Sequence, residues 1–158
     1  MIPSWLVIGG VVVLIAGAGN AVLNSEDMRW FNRLQRPQWL TFEKLIPAIW
    51  ITTFIAAAWS AYIVWENEPN TLRTWLLMGV YFLLEVVTIA YTPVMCKSRS
   101  LRAGTILGGT GVLISLLLIL SVWPMSQWAA LLLMPYAIWS PIGTYTTGSM
   151  IPLNPADA

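Results

Sequence analysis

The chain has 158 residues, 58% of them hydrophobic and only 9% charged, with eight Lys and Arg against seven Asp and Glu for a net charge of +1. A soluble domain carries roughly 25% charged residues, so this chain cannot cover itself with polar side chains in water, and its near-neutral balance leaves no electrostatic footprint for nucleic acid. It holds no histidine and one cysteine, Cys96, which excludes an internal disulfide, multi-cysteine or His-containing zinc sites, His-ligated haem and His-relayed nucleophilic catalysis.

Residues 1–25 contain no Asp, Glu, Lys or Arg. A hydrocarbon core of ~30 Å asks for about 20 apolar residues per helix, which predicts a first membrane helix over 3–23. No basic residue precedes the run, and it is too long for a signal-peptide core, so it is read as retained. Residues 24–44 form the one long connection. Residues 45–65 are again uncharged and predict a second span over 45–66. A third, over 74–96, carries a single charge, Glu85. Residues 103–156 are uncharged but break at Ser121–Gln127, where Pro124, two serines and the flanking Trp123 and Trp128 read as an interfacial turn. Spans four and five are therefore predicted over 101–122 and 128–150. The expected fold is an all-α integral membrane protein, one compact bundle of five transmembrane helices.

Five spans put the termini on opposite sides, and the basic residues then sort. Arg29, Arg33, Arg36, Lys44, Lys97, Arg99 and Arg102 fall on the side of the first loop and the C-terminus, and Arg73 alone falls on the other. The positive-inside rule places the first loop and C-terminus in the cytoplasm and the N-terminus outside. The absence of a transit-like N-terminus favours a bacterial membrane.

Several side chains do more than span. Of ten tryptophans, Trp5, Trp65, Trp75, Trp123 and Trp128 fit an aromatic belt. Trp59 and Trp139 fall well inside spans two and five, and Trp50 shares a helix face with Phe54 at i+4. For Trp50, Phe54 and Trp139, a ligand pocket and plain packing stand as alternatives. A mid-span carboxylate is costly, so Glu85 is expected to face the interior. Tyr81, Glu85, Thr88 and Thr92 repeat at helical spacing as one polar stripe. Glu85 serves either as a hydrogen-bond partner of a neighbouring hydroxyl or carbonyl, or as a ligand or proton site. Gly104, Gly108, Gly109, Gly111 and Ser115 permit close helix approach, within the bundle or in a homodimer. Pro135 and Pro141 interrupt span five and release carbonyls near Trp139 that must be satisfied internally.

Residues 30–39, Trp-Phe-Asn-Arg-Leu-Gln-Arg-Pro-Gln-Trp, resemble the first-loop motif W-Y-x-x-L-x-K-P-x-W of the tryptophan-rich sensory protein family, also called the TspO, translocator protein or peripheral-type benzodiazepine receptor family. Ala48–Phe54 is similar to its V/I-W-x-x-x-F/Y start of the second helix. Leu133–Trp139, continuing to Tyr145 and Asn154, is similar to its fifth-helix L-x-P-Y-x-x-W…Y…N. Leu40-Thr41-Phe42 stands where the family has a double proline, and no basic residue follows Tyr145 as its sterol-recognition pattern requires. The resemblance implies a five-helix bundle, usually dimeric, whose first loop folds over a pocket. It implies pocket roles for Trp30, Trp39, Trp50, Phe54 and Trp139, with Tyr136 and Gly143 nearby.

The expected function is a membrane receptor or carrier for a flat hydrophobic ligand of the tetrapyrrole class, a porphyrin, haem or bilin, acting in tetrapyrrole sensing, regulation or transport under stress. Aromatic faces would stack on the macrocycle, Arg33 or Arg36 would pair with propionates, and Glu85 and Thr88 would line the same interior. No catalytic residue, metal site or required cofactor is assigned. The expected partners are the ligand, the lipid bilayer and a second copy of the chain. Two alternatives are a light- and oxygen-dependent porphyrin-degrading enzyme using pocket tryptophans, and a proton-coupled transporter using Glu85.

Overall fold

The computed structural model describes residues 3–158. The described chain is all helical: α1 (Ser4–Val22), α2 (Ser25–Arg33), α3 (Ile46–Asn67), α4 (Leu72–Ser98), α5 (Leu101–Val122), α6 (Gln127–Leu132) and α7 (Met134–Met150). Short 3-10 turns lie at Glu43–Leu45 and Pro155–Asp157. Among the described residues, α1, α4, α5 and the run from Glu43 through α3 are four segments long and apolar enough to cross a membrane. The fifth predicted span is present in two pieces. Pro135 has no N–H to continue α6, so the chain tightens at Leu133 and restarts as α7 with proline in its first turn. Its 6- and 17-residue segments together rise far enough for a crossing of ~30 Å.

The break has a local cost that the bundle meets. The Leu133 N–H bonds back to the Ala130 carbonyl at 3.1 Å, which leaves the Ala129 carbonyl without its usual helical donor. Ser60 of α3 donates to that carbonyl at 2.7 Å, and the Tyr81 hydroxyl lies 2.5 Å from the Ser60 oxygen. With its one proton directed at Ala129, Ser60 accepts from Tyr81. In lipid every released carbonyl needs such a partner.

The turns are capped by side chains. Thr71, Ser100 and Ser126 accept from the N–H groups of Thr74, Ala103 and Ala129 at 3.1–3.3 Å. The α4–α5 corner is two residues long. Arg99 is left-handed there, with φ 53°, and the N–H groups of Arg99 and Ser100 both return to the Met95 carbonyl.

Packing follows the small residues. A β-carbon on Gly104 would meet Met95 Sδ at 2.7 Å, one on Gly108 would meet Thr144 Oγ1 at 2.5 Å, and one on Gly111 would meet the Tyr136 hydroxyl at 2.6 Å. Gly104, Gly108 and Gly111 of α5 are thus occupied by α4 and α7 of the same chain. Gly111→Val is expected to push Tyr136 aside and lower stability by about 1–3 kcal/mol, read as a lower Tm in detergent by tryptophan fluorescence.

Two buried clusters result. One, around Val64, Leu77, Leu84, Leu118, Val122 and Leu133, lies among α3, α4, α5 and α6. The other, around Trp30, Leu34, Met95, Cys96, Leu101 and Met150, lies where α2 meets the α4–α5 corner and the end of α7. The outer faces are apolar: Leu14, Ile51, Ile55, Trp59, Ile106 and Leu120 are all exposed, as a lipid-facing surface requires. Trp59, too deep in its span for the aromatic belt, is 57% exposed. It points to lipid, on the opposite side of α3 from buried Ser60 and Val64.

Candidate functional site

The segment between α1 and α3 is built, not loose. Asn24 and Asp27 cap α2 reciprocally: Asn24 Oδ1 accepts from the Glu26 and Asp27 N–H groups, and the Asp27 carboxylate accepts from the Asn24 N–H. The other lone pairs of Asp27 face Lys97 Nζ at 2.6 Å and Arg99 Nη2 at 3.3 Å, with the carboxyl itself only 3% exposed. The Lys97 hydrogen bond, then the Asn24 N–H and the charges of Lys97 and Arg99, hold the Asp27 carboxyl below its ordinary 3.8.

Farther along, the C-terminal segment clasps the loop. Asn154 accepts from the Gln35 N–H at 2.8 Å and donates to the Gln35 carbonyl at 3.0 Å and the Met150 carbonyl at 2.9 Å. Trp30 Nε1 donates to Asp157 at 2.7 Å, and Arg33 joins the same carboxylate at 3.2 Å. Asn154→Ala removes three hydrogen bonds at a mostly buried site, each worth about 0.5–1.5 kcal/mol. It is expected to lower the Tm and to raise hydrogen exchange in 30–40, checked by exchange mass spectrometry.

Under this loop lies a cavity of about 560 Å3, within the usual range for a small-molecule site. Its roof includes Phe31, Arg36, Leu40 and Glu43, and its walls include Trp50, Phe54, Tyr91, Thr92, Tyr136 and Trp139. Trp50 stands edge-on to Tyr136, with ring centroids 6.0 Å apart, and tilts against Phe54 at 6.0 Å. Phe42 meets Trp139 edge-on at 6.1 Å. Tyr136 lies 2.7 Å from Thr88 Oγ1, whose own proton goes to the Leu84 carbonyl at 2.6 Å, so Tyr136 donates. Tyr91 pairs with Thr147. The indole N–H of Trp139 is buried with no partner among the described residues.

The sequence-predicted residues divide into groups. Arg36, Trp50, Phe54, Thr88, Tyr136, Trp139 and Gly143 come together around this cavity. Trp30 does not line it. It is 4% exposed and lies beneath Arg99, whose guanidinium sits 5.5 Å above the ring. Arg33 does not line it either, being tied to Asp157. Trp39 is 43% exposed and stacks on Tyr145 at 5.9 Å, on the outer side of α7. Arg36 is mostly engaged by the loop: Nε pairs with Glu43 at 3.2 Å, and Nη1 donates to the carbonyls of Phe31 at 2.8 Å and Leu34 at 2.5 Å. Nη2 takes no part in these bonds.

Glu85 lines a different cavity, of about 550 Å3, between α1, α3 and α4. The two hollows share Phe54, Thr88 and Tyr136 as a partition. The hydrogen bond expected for Glu85 is not formed at Oε1, which is buried without a partner. The stripe hydroxyls beside it, Tyr81 and Thr88, are already committed to Ser60 and Leu84.

Tyr91, Phe31 and Glu43 line the loop-side cavity without having been singled out in the sequence, and Thr92 lines it without having been assigned to a pocket. Thr92 belonged to the recognised polar stripe. Tyr91 is its immediate neighbour, and nothing in the periodicity marked it.

A multi-pass helical membrane protein with an internal cavity roofed by its own first loop is the class that fold and site define. The family model described as TspO/MBR family matches residues 8–152, and the chain belongs to that family. It is 28% identical to the tryptophan-rich protein TspO of Bacillus cereus over 138 residues, covering 85% of this chain and 87% of that one. It is 24% identical to the human translocator protein over 151 residues, covering 88% and 85%. It is 26% identical to protein CrtK of Rhodobacter capsulatus over 158 aligned residues, covering 93% and 91%.

Proposed function

We propose that the loop-side cavity binds a flat hydrophobic ligand of the tetrapyrrole class, and that the protein senses, regulates or carries that ligand in the membrane. The observation that carries this reading is the unpartnered indole N–H of Trp139 in the wall of a 560 Å3 cavity faced by Trp50, Phe54 and Tyr136. An unsatisfied buried donor costs about 1–3 kcal/mol, and an acceptor on a bound ligand would remove that cost. The aromatic walls supply stacking surface, and Arg36 Nη2 is the cationic donor at the roof for a ligand carboxylate. Trp30 and Trp39 act through the placement of the loop, whereas Arg33, 66% exposed in its pair with Asp157, stands outside the site. By the positive-inside rule the cavity lies toward the cytoplasm, which suits exchange of ligand with a cytoplasmic pool.

The test is tryptophan-fluorescence quenching of the detergent-purified protein, titrated with protoporphyrin, haem and a linear bilin. Saturable quenching by at least one of them, weakened in Trp139→Phe and Arg36→Gln but not in Arg33→Gln, is the expected result. Quenching that is linear in ligand and indifferent to all three substitutions would overturn the proposal.

A further inference from the structure

We propose that the second cavity, between α1, α3 and α4, is a separate binding site for a lipophilic amine, whose ammonium group is received by the Glu85 carboxylate. Its walls are almost wholly apolar, with Val7, Val11, Ala57, Gly79 and Phe82 among them. The hydroxyls on its surface are engaged elsewhere: Tyr81 with Ser60, Tyr136 with Thr88, Thr53 with the Ile49 carbonyl at 2.9 Å, and Ser4 with Glu66 at 2.5 Å. Glu85 is the exception, with Oε1 buried and unpartnered.

Charge decides the occupant. No Lys or Arg lines this cavity. A second carboxylate, Glu66, stands at the end marked by Ser4, Trp65 and Trp75. Arg73, on the α3–α4 side of the bundle, is directed at the Ser121 carbonyl of α5, 3.5 Å away. A carboxylate in an apolar hollow without a countercharge favours a ligand that brings one, on an apolar body that fills the rest. The loop-side cavity differs, its roof holding the Arg36–Glu43 pair in place of a lone carboxylate. The two hollows thus select for different ligands across the Phe54–Thr88–Tyr136 partition.

The experiment is isothermal titration of the full chain in phosphatidylcholine nanodiscs at neutral pH, with decylamine, decan-1-ol and decanoate, subtracting empty discs. A saturable one-site component for decylamine is expected, weaker by about tenfold or more for decan-1-ol and absent for decanoate. Glu85→Gln is expected to reduce decylamine binding to the level of decan-1-ol. Gly79→Leu provides a second arm. A β-carbon at Gly79 meets nothing within 4 Å and Gly79 lines the cavity, so a leucine there adds bulk to its wall, and binding of both amine and alcohol should be lost. Protoporphyrin quenching should survive Gly79→Leu, which separates this site from the loop-side one. Equal affinity for amine and alcohol, amine binding that ignores Glu85→Gln or Gly79→Leu, or no saturable component at all would each overturn the assignment.

Discussion

Asp27→Asn is expected to release the first loop from the bundle and to accelerate tryptic cleavage after Arg29 and Arg33 by about tenfold or more. The Asp27 carboxylate is the buried anion on which two half-exposed cations converge. Here the carboxylate holds both Lys97 and Arg99, at 2.6 Å and 3.3 Å, and closes the cap of α2. Arg99 would lose the contact that fixes its guanidinium over Trp30, and the amide could not replace two ion pairs. The same group sets a pH dependence. Because the folded Asp27 carboxyl sits below its ordinary 3.8, its contribution to stability is complete above that value. It is lost as the pH falls below 3.8 and through the lowered folded value. Thermal unfolding followed from pH 6 to pH 3 should therefore show a steeper loss of Tm at the acid end for the wild type than for Asp27→Asn.

Trp50→Ala should weaken tetrapyrrole binding by roughly 2–3 kcal/mol, from lost apolar contact and lost aromatic geometry, or about 30- to 150-fold in Kd. Trp50 faces the loop-side cavity with Phe54 and Tyr136 at 6.0 Å each, so its removal takes away one wall. Trp59→Ala on the same helix is the matched control. With 57% of Trp59 exposed on the lipid face, its loss should leave Kd unchanged within twofold. The check is the quenching titration, corrected for the fluorescence each substitution removes.

The spans were legible because a membrane helix announces itself by what it lacks. Runs of about 20 residues with at most one charge placed four of the five within two residues of their ends, and Trp123, Pro124 and Trp128 marked the turn before the last. The fifth was legible as irregular, but its break falls at Leu133, where the missing N–H of Pro135 first matters, and not at Trp139. Helix α2 went unread because nine residues, six of them polar or charged, carry no membrane pattern. Its signal was local, the Asn24-x-x-Asp27 capping box.

The site divided along similar lines. Trp50 and Phe54 share a helix face that can be counted along the chain, whereas their meeting with Trp139 of α7 around one cavity was implied by the family resemblance and not by periodicity. Trp30 and Trp39 carry the same residue type in the first-loop motif, yet their roles depend on partners remote in sequence. Trp30 bonds to Asp157, 127 positions away, and Trp39 stacks on Tyr145. Helical spacing gave the inward direction of Glu85. That it would stand apart from the tryptophans, in a second hollow under α1, required the three-dimensional arrangement of α1, α3 and α4.

The most direct test of the loop-side site is hydrogen-exchange mass spectrometry of the nanodisc-embedded protein with and without protoporphyrin. Protection is expected in the loop over 31–43 and in α7 over 136–147, with 4–12 and 75–82 unchanged. Protection confined to 4–12 and 75–82, or no protection at saturating ligand, would contradict the placement of the ligand beneath the first loop.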